Sequence, residues 1–272
     1  MGEEIINKII NQECIEGLKQ LEENSVDLCV TSPPYNVGIE YDDWMDNMPV
    51  DEYLQFAKDW LTEVYRVLKP DGRIAVNIPY EVNMKKLGGH NRMLIQSEYH
   101  QIMKEIGFGF AGIVDLDEKA PQKVKFSAWG SWLSASAPYM HNPKECILLG
   151  FKDQWKKIEK GESWYDGSDE SKKEFMEYVS GMWGYFAETR GMTDANFSLD
   201  IPDKAIKFMT YKDDLVLDPF MGSGTTAVSC INLDRRYVGF EISEKYHKIA
   251  TDRVNKVLSK KLTTEKSEEF WK

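Results

Sequence analysis

The sequence is short of several things that would place it in familiar classes. It holds only four cysteines in 272 residues. Cys14, Cys29, Cys146 and Cys230 lie far apart, and none forms a Cys-x-x-Cys pair or stands near a histidine at ligand spacing. Neither a zinc centre nor a disulfide framework is indicated, and the four read as buried free thiols. No apolar run approaches the roughly 20 residues that a membrane-spanning helix needs. The opening Met1-Gly2-Glu3-Glu4 is acidic where a secretory signal would be basic, so a cytoplasmic chain is expected. Net positive charge is lacking as well. A formal charge of −11 argues against indiscriminate binding to polyanions, although lysines from Lys119 to Lys157 give the middle third a local basic bias. No internal repeat and no low-complexity segment interrupts the chain.

What is present is an alternation of strand and helix signals. Short apolar runs at 5–11, 26–30, 73–78, 110–116, 145–151, 215–218 and 237–241 read as strands. Helical spacing of apolar residues marks 14–21, 50–68, 92–106, 202–210, 225–233 and 243–258. A turn is expected at Lys69-Pro70-Asp71-Gly72. Repeated strand–helix units imply a doubly wound, mostly parallel α/β sheet with helices on both faces. The chain divides into 1–151, a polar insertion at 152–196 whose irregular character extends back to about 117, and 197–272.

Two stretches stand out. In Thr31-Ser32-Pro33-Pro34-Tyr35-Asn36 an apolar strand is stopped by two prolines, which fix φ and supply no N–H. The resulting loop is stiff, and it sets backbone carbonyl acceptors beside an aromatic ring, an arrangement suited to a planar, amine-bearing ring. Taken alone, Pro-Pro-Tyr is more often an ordinary strand-to-loop turn with the tyrosine in the core.

The second is Asp218-Pro219-Phe220-Met221-Gly222-Ser223-Gly224-Thr225-Thr226, at the end of one strand and the start of a helix. Its glycines permit close approach of a ligand to the backbone. A phosphate-binding loop would require a lysine after the last glycine, and a dinucleotide fingerprint would require a third glycine; both are missing. Glu241, at the end of the next strand, is placed to accept hydrogen bonds from ribose hydroxyls.

Together, the Ser-Pro-Pro-Tyr motif and the later Asp-Pro-Phe-Met-Gly-Ser-Gly-Thr-Thr motif resemble those of the S-adenosylmethionine-dependent DNA amino-methyltransferases of the beta class. In that class the catalytic motif precedes the cofactor motif. The resemblance covers nearly the whole chain outside 152–196. It implies a Rossmann-like, circularly permuted class I methyltransferase fold with an inserted target-recognition region. Catalytic residues would be Ser32, Pro33, Pro34 and Tyr35. The cofactor would be held by Glu13, Cys14, Thr31, Phe197, Asp218, Phe220, Gly222, Ser223, Gly224, Thr225 and Glu241, with no metal. The family's usual third cofactor segment carries His-Pro, absent here, although Phe197 and Pro202 match it.

The resemblance further implies that an exocyclic amine, flipped out of duplex DNA, is methylated while acceptors at Ser32 and the Pro33 carbonyl hold its protons and Tyr35 stacks on its ring. Serine at the first motif position is commoner in family members that methylate cytosine N4, and Asp or Asn in those that methylate adenine N6. Cytosine N4 is therefore the expected target, with adenine N6 the alternative and a catalytically silent nucleic-acid-binding module a third reading. DNA contacts are expected from Lys123, Lys125, Trp129, Trp132, Lys156 and Lys157. A restriction endonuclease sharing the same site, without direct contact, and a homodimer are the partners the class implies, in a prokaryotic or phage setting.

Overall fold

A computed structural model of the chain describes residues 2–36, 40–41, 44–45, 47–83, 92–118, 142, 144–186 and 197–270. The main sheet has eight strands: β1 (Lys8–Asn11), β2 (Val26–Thr31), β3 (Leu68–Pro79), β4 (Gly109–Glu118), β5 (Glu145–Phe151), β6 (Met182–Tyr185), β7 (Leu215–Asp218) and β8 (Arg236–Glu241). Their spatial order is β1-β8-β7-β2-β3-β5-β4-β6. All neighbours run parallel except β5, which is antiparallel to both β3 and β4. The helices are α1 (Cys14–Leu18), α2 (Val50–Val67), α3 (Ile95–Ile106), α4 (Asp169–Tyr178), α5 (Asp200–Met209), α6 (Thr225–Asn232) and α7 (Glu244–Phe270).

The apolar strands have no polar face because both faces are covered. In β3, Ile74, Val76 and Ile78 pack into a core with α1, α2 and α3, while Ala75 faces the second core, built with α4, α5, α6 and α7. In β7, Leu215 and Leu217 face the first core and Val216 the second. The sheet is thus doubly wound, as its strand–helix alternation implies. The first strand of the chain lies beside the last, with Lys8 opposite Val238, so the break in chain order falls between two neighbouring outer strands.

Several boundaries differ from those read in the sequence. Residues Gly2–Ile5 form a 3-10 turn, and β1 begins only at Lys8, after Asn7 has turned through a positive φ of 60°. The turn at Lys69–Gly72 lies within β3 as a bulge. Val26 pairs with Leu68, and Leu28 next pairs with Arg73, so the intervening residues loop out of the ladder. Helix α3 starts at Ile95 because Arg92–Met93 pairs with Val82–Asn83. It ends where Gly107 takes φ 118° as its cap. Within 152–196, α4 is capped by the Ser168 hydroxyl, and β6 adds to the edge of the main sheet beside β4. The four cysteines are buried free thiols.

Candidate functional site

Strands β2 and β7 are parallel neighbours, with Leu28 opposite Val216 and Cys29 opposite Leu217. The turns that follow them therefore leave from the same edge of the sheet, the carboxyl edge, where ligands bind in open α/β folds. They line one cavity of roughly 440 Å³, in the range of small-molecule sites. Its walls come from Gln12-Glu13-Cys14 after β1, Ser32 to Tyr35 after β2, Phe197 and Ser198 before α5, Pro219 to Ser223 after β7, and Glu241 to Ser243 after β8. Phe56, Asn77, Glu145, Tyr185, Ile201, Thr225, Phe240 and Tyr246 complete it.

The glycine turn is built around a buried carboxylate. Asp218 accepts hydrogen bonds from the hydroxyls of Thr31 (2.7 Å) and Thr226 (2.6 Å) and from the Phe220 N–H (3.0 Å). Burial pushes its carboxyl up to about 6, against the opposing effect of these donors. Gly222 and Gly224 take φ values of 54° and 80°, which side chains rarely adopt. A Cβ on Gly224 would also sit 3.2 Å from Cα of Ala250. The Gly222 N–H donates to Oε2 of Glu241 at 2.8 Å, and the Ser243 N–H to Oε1 at 2.9 Å. Burial raises the Glu241 carboxyl while these two N–H groups lower it. The guanidinium of Arg253 braces the turn from outside, donating to the Thr225 hydroxyl at 2.8 Å. Edge-on contact of the Phe220 ring with Trp60, 5.3 Å between centroids, fixes the apolar floor.

The proline turn is held by hydroxyls and side-chain amides. Tyr53 donates to the Pro34 carbonyl at 3.0 Å, and Asn36, at φ 57°, donates through Nδ2 to the Met48 carbonyl. The Ser32 hydroxyl lies 2.8 Å from the Tyr35 hydroxyl. Nδ2 of Asn77 donates at 2.7 Å to both the Tyr35 oxygen and Oε2 of Glu145. Burial raises the Glu145 carboxyl, and the nearby Glu118 charge adds to this, while Asn77 and Tyr35 oppose it.

Of the residues singled out in the sequence, Glu13, Cys14, Ser32, Pro33, Pro34, Tyr35, Phe197, Phe220, Gly222, Ser223, Thr225 and Glu241 line the cavity. Thr31, Asp218 and Gly224 lie behind it, where the first two join the two turns and the third opens α6. Glu13 also caps α1 through the Glu16 N–H. Lys123, Lys125, Trp129 and Trp132 lie outside the described residues.

Lys157 is a correction. Its side chain is 7% exposed, and its ammonium pairs with Asp27 at 3.2 Å and Asp214 at 3.3 Å, where β2 and β7 begin. It sits at the amino edge of the sheet, away from the cavity, and its charge is consumed within the fold. Lys156 is exposed beside it on the same edge, because the antiparallel β5 delivers the chain there.

Sequence reasoning missed Asn77 and Glu145. Strand β5 was legible, but its direction was not. Only an antiparallel β5 brings its first residue, Glu145, to the carboxyl edge beside the last residues of β3. Tyr185 was missed because β6 lies in a stretch whose polar composition resembles an insertion.

Among the described residues, no group of three or more His, Cys, Asp or Glu side chains is arranged to hold a metal ion, and no helix is long and apolar enough to cross a membrane.

Comparisons with known proteins agree with this architecture. The family model described as DNA methylase, covering N6 and N4 methyltransferases, matches residues 26–252. The type II methyltransferase M.MjaVI of Methanocaldococcus jannaschii is 40% identical over 177 residues, which are 64% of this chain and 84% of that protein. M.HpaI of Haemophilus parainfluenzae, also a type II methyltransferase, is 27% identical over 263 residues, 91% of this chain and 74% of that one. Among solved structures, a Thermus thermophilus chain assigned as a DNA modification methylase, complexed with S-adenosyl-L-methionine, superposes with a TM-score of 0.70 at 22% identity. That match covers 92% of this chain and 93% of the other. The cytosine-N4-specific PvuII DNA methyltransferase gives 0.66 at 20% identity over 92% of each chain.

Proposed function

This chain belongs to the N6/N4 DNA methylase family, and on that footing we propose that it methylates the exocyclic N4 amine of cytosine in duplex DNA. It is an S-adenosyl-L-methionine-dependent DNA methyltransferase. The residues present fit that cofactor. The cavity has a backbone left bare at Gly222, apolar walls at Phe197, Phe220 and Ile242, and a buried carboxylate at Glu241. Glu241 would take the ribose hydroxyls on the lone pairs its two backbone partners leave, and the Gln12-Glu13-Cys14 turn would flank the adenine. Bound there, the cofactor supplies an electrophilic methyl group on a sulfonium.

The chain's own part of the reaction is to make a poor nucleophile attack in line. An exocyclic amine shares its lone pair with the ring, and acceptors that hold its protons favour the tetrahedral nitrogen that can attack. The Ser32 hydroxyl and the Pro33 carbonyl would supply those acceptors, preorganised by the two prolines. The Tyr35 ring would stack on the flipped base, offsetting part of the few kcal/mol that unstacking costs. The observation that carries the reading is that the proline turn and the glycine turn face one cavity. What supports cytosine over adenine is the serine at position 32, since neutral hydroxyl acceptors are commoner in the cytosine-N4 members. The PvuII enzyme, of the same fold, is a cytosine-N4 methyltransferase. The type II relatives are bacterial and archaeal, which supports a prokaryotic setting; a cytoplasmic enzyme, and an endonuclease cutting the same sequence, are part of the same proposal.

Mass spectrometry of nucleosides from DNA treated with the enzyme and cofactor tests this. N4-methylcytosine is expected; N6-methyladenine without N4-methylcytosine would overturn the base assignment and leave the family activity standing.

A further inference from the structure

As an acceptor for the target amine, Ser32 faces a difficulty: a serine hydroxyl is donor and acceptor alike, and something must decide which face it turns to the cavity. A chain of four groups can decide it. The Ser32 hydroxyl is 2.8 Å from the Tyr35 hydroxyl. The Tyr35 oxygen is 3.5 Å from Oε2 of Glu145, and the amide of Asn77 donates to both of these oxygens at 2.7 Å. All four side chains line the cavity.

From this geometry, and resting on the proposed amine methylation, we propose that Glu145 is a positioning residue for methyl transfer: its carboxylate, through Tyr35 and Asn77, directs the hydrogen bonds so that Ser32 meets the target amine as an acceptor.

The donors and lone pairs can be counted. A carboxylate only accepts, so the phenol proton of Tyr35 turns toward it across 3.5 Å. The Tyr35 oxygen then has two lone pairs to fill; Asn77 fills one and the Ser32 proton the other. Ser32, having sent its proton inward, turns only lone pairs to the cavity. Protonating Glu145 reverses the order. The acid proton takes a lone pair of the Tyr35 oxygen, Asn77 keeps the other, and the phenol proton turns to the Ser32 oxygen 2.8 Å away. The serine proton is then left facing the amine, donor against donor, where it opposes attack.

The groups that face Glu145 are Tyr35 from the proline turn, Asn77 from β3, Tyr185 from β6, Glu118 at the end of β4 and Cys146 beside it on β5. Burial pushes Tyr185 and Cys146 up to about 12, so both stay neutral through the working range. Burial and the Glu118 charge raise Glu145 itself, so its protonation falls above the usual carboxylate range.

The experiment is single-turnover methyl transfer to duplex DNA against pH, for the wild type, Glu145→Gln and Glu145→Asp, with cofactor and DNA affinities measured in parallel. The wild type should lose activity as pH falls through an acid limb. Glu145→Gln should be slower by at least about tenfold at neutral pH and lack that limb. Glu145→Asp should recover part of the rate and keep the limb at a shifted pH. Affinities for cofactor and DNA should change less than about twofold. Independently of activity, the Glu145 carboxyl resonance in a carbon-13 titration of the free enzyme, assigned by its absence in the Asp variant, should titrate at the pH of the limb. An acid limb that survives unchanged in Glu145→Gln, or a carboxyl that titrates elsewhere, overturns the proposal. Should the Gln variant fail to fold, the titration and the Asp variant still decide it. A wild type that methylates no DNA would sink the proposed function instead, a distinguishable failure.

Discussion

The hydroxyl of Thr31 donates to the carboxylate of Asp218 at 2.7 Å, across 187 positions of sequence. This bond ties the last residue of β2 to the last residue of β7, and so fixes the proline turn against the glycine turn. Thr31→Val removes a donor from a buried carboxylate, which should cost about 1–3 kcal/mol at pH 7. The pH dependence follows from the sign of the shift. Asp218 is raised to about 6 in the fold, above the roughly 3.9 of an unfolded aspartate. Between those values the folded state binds more protons, so this group's contribution to stability falls as pH rises through the window. The variant loses a donor that favours the ionised form. Its destabilisation should therefore be larger at pH 7 than at pH 4.5, as read by urea unfolding; equal losses at both would refute the ionised pairing.

Glu241 holds the Gly222 and Ser243 N–H groups on separate oxygens. Glu241→Ala frees both and removes the carboxylate assigned to the ribose. Calorimetric titration should show cofactor affinity reduced by at least about tenfold. An affinity within twofold of wild type would show that the carboxylate holds no ligand.

Lys157 and Lys156 separate structure from DNA contact. Lys157→Met leaves Asp27 and Asp214 short of a cation in a mostly buried cluster, with Lys69 still 2.8 Å from Asp27. Stability should fall by about 3 kcal/mol. The salt slope of DNA binding should not change in either Lys157→Met or Lys156→Glu, because both residues lie at the amino edge of the sheet. A flattened slope in Lys156→Glu would place DNA on that edge.

Much of this was legible in the residues themselves. The run 26–31 stops at Pro33 and Pro34, and the run 215–218 opens onto Gly222 and Gly224, so both turns and their helices could be read from local chemistry. Their meeting followed from the doubly wound order. Strand direction was not legible, because the continuous apolar run within 145–151 reads the same in either sense; Glu145 was therefore invisible as a site residue. Lys157 looked like a surface charge because the partners that consume it, Asp27 and Asp214, are distant in sequence. Thr31 and Asp218, expected at the cofactor, bond each other behind the cavity wall, where Asp218 also accepts from Thr226 and the Phe220 N–H, a pairing across 187 positions that no local pattern announces.

The central claim is that one cavity brings a sulfonium methyl to a base amine held at Ser32. It is tested most directly by incubating duplex DNA with methyl-labelled cofactor and either wild-type protein or Ser32→Ala, then locating the label after digestion. The account predicts label in N4-methylcytosine with wild type, and its loss with Ser32→Ala while cofactor binding persists. Label on a ring carbon, or undiminished transfer by Ser32→Ala, would contradict it.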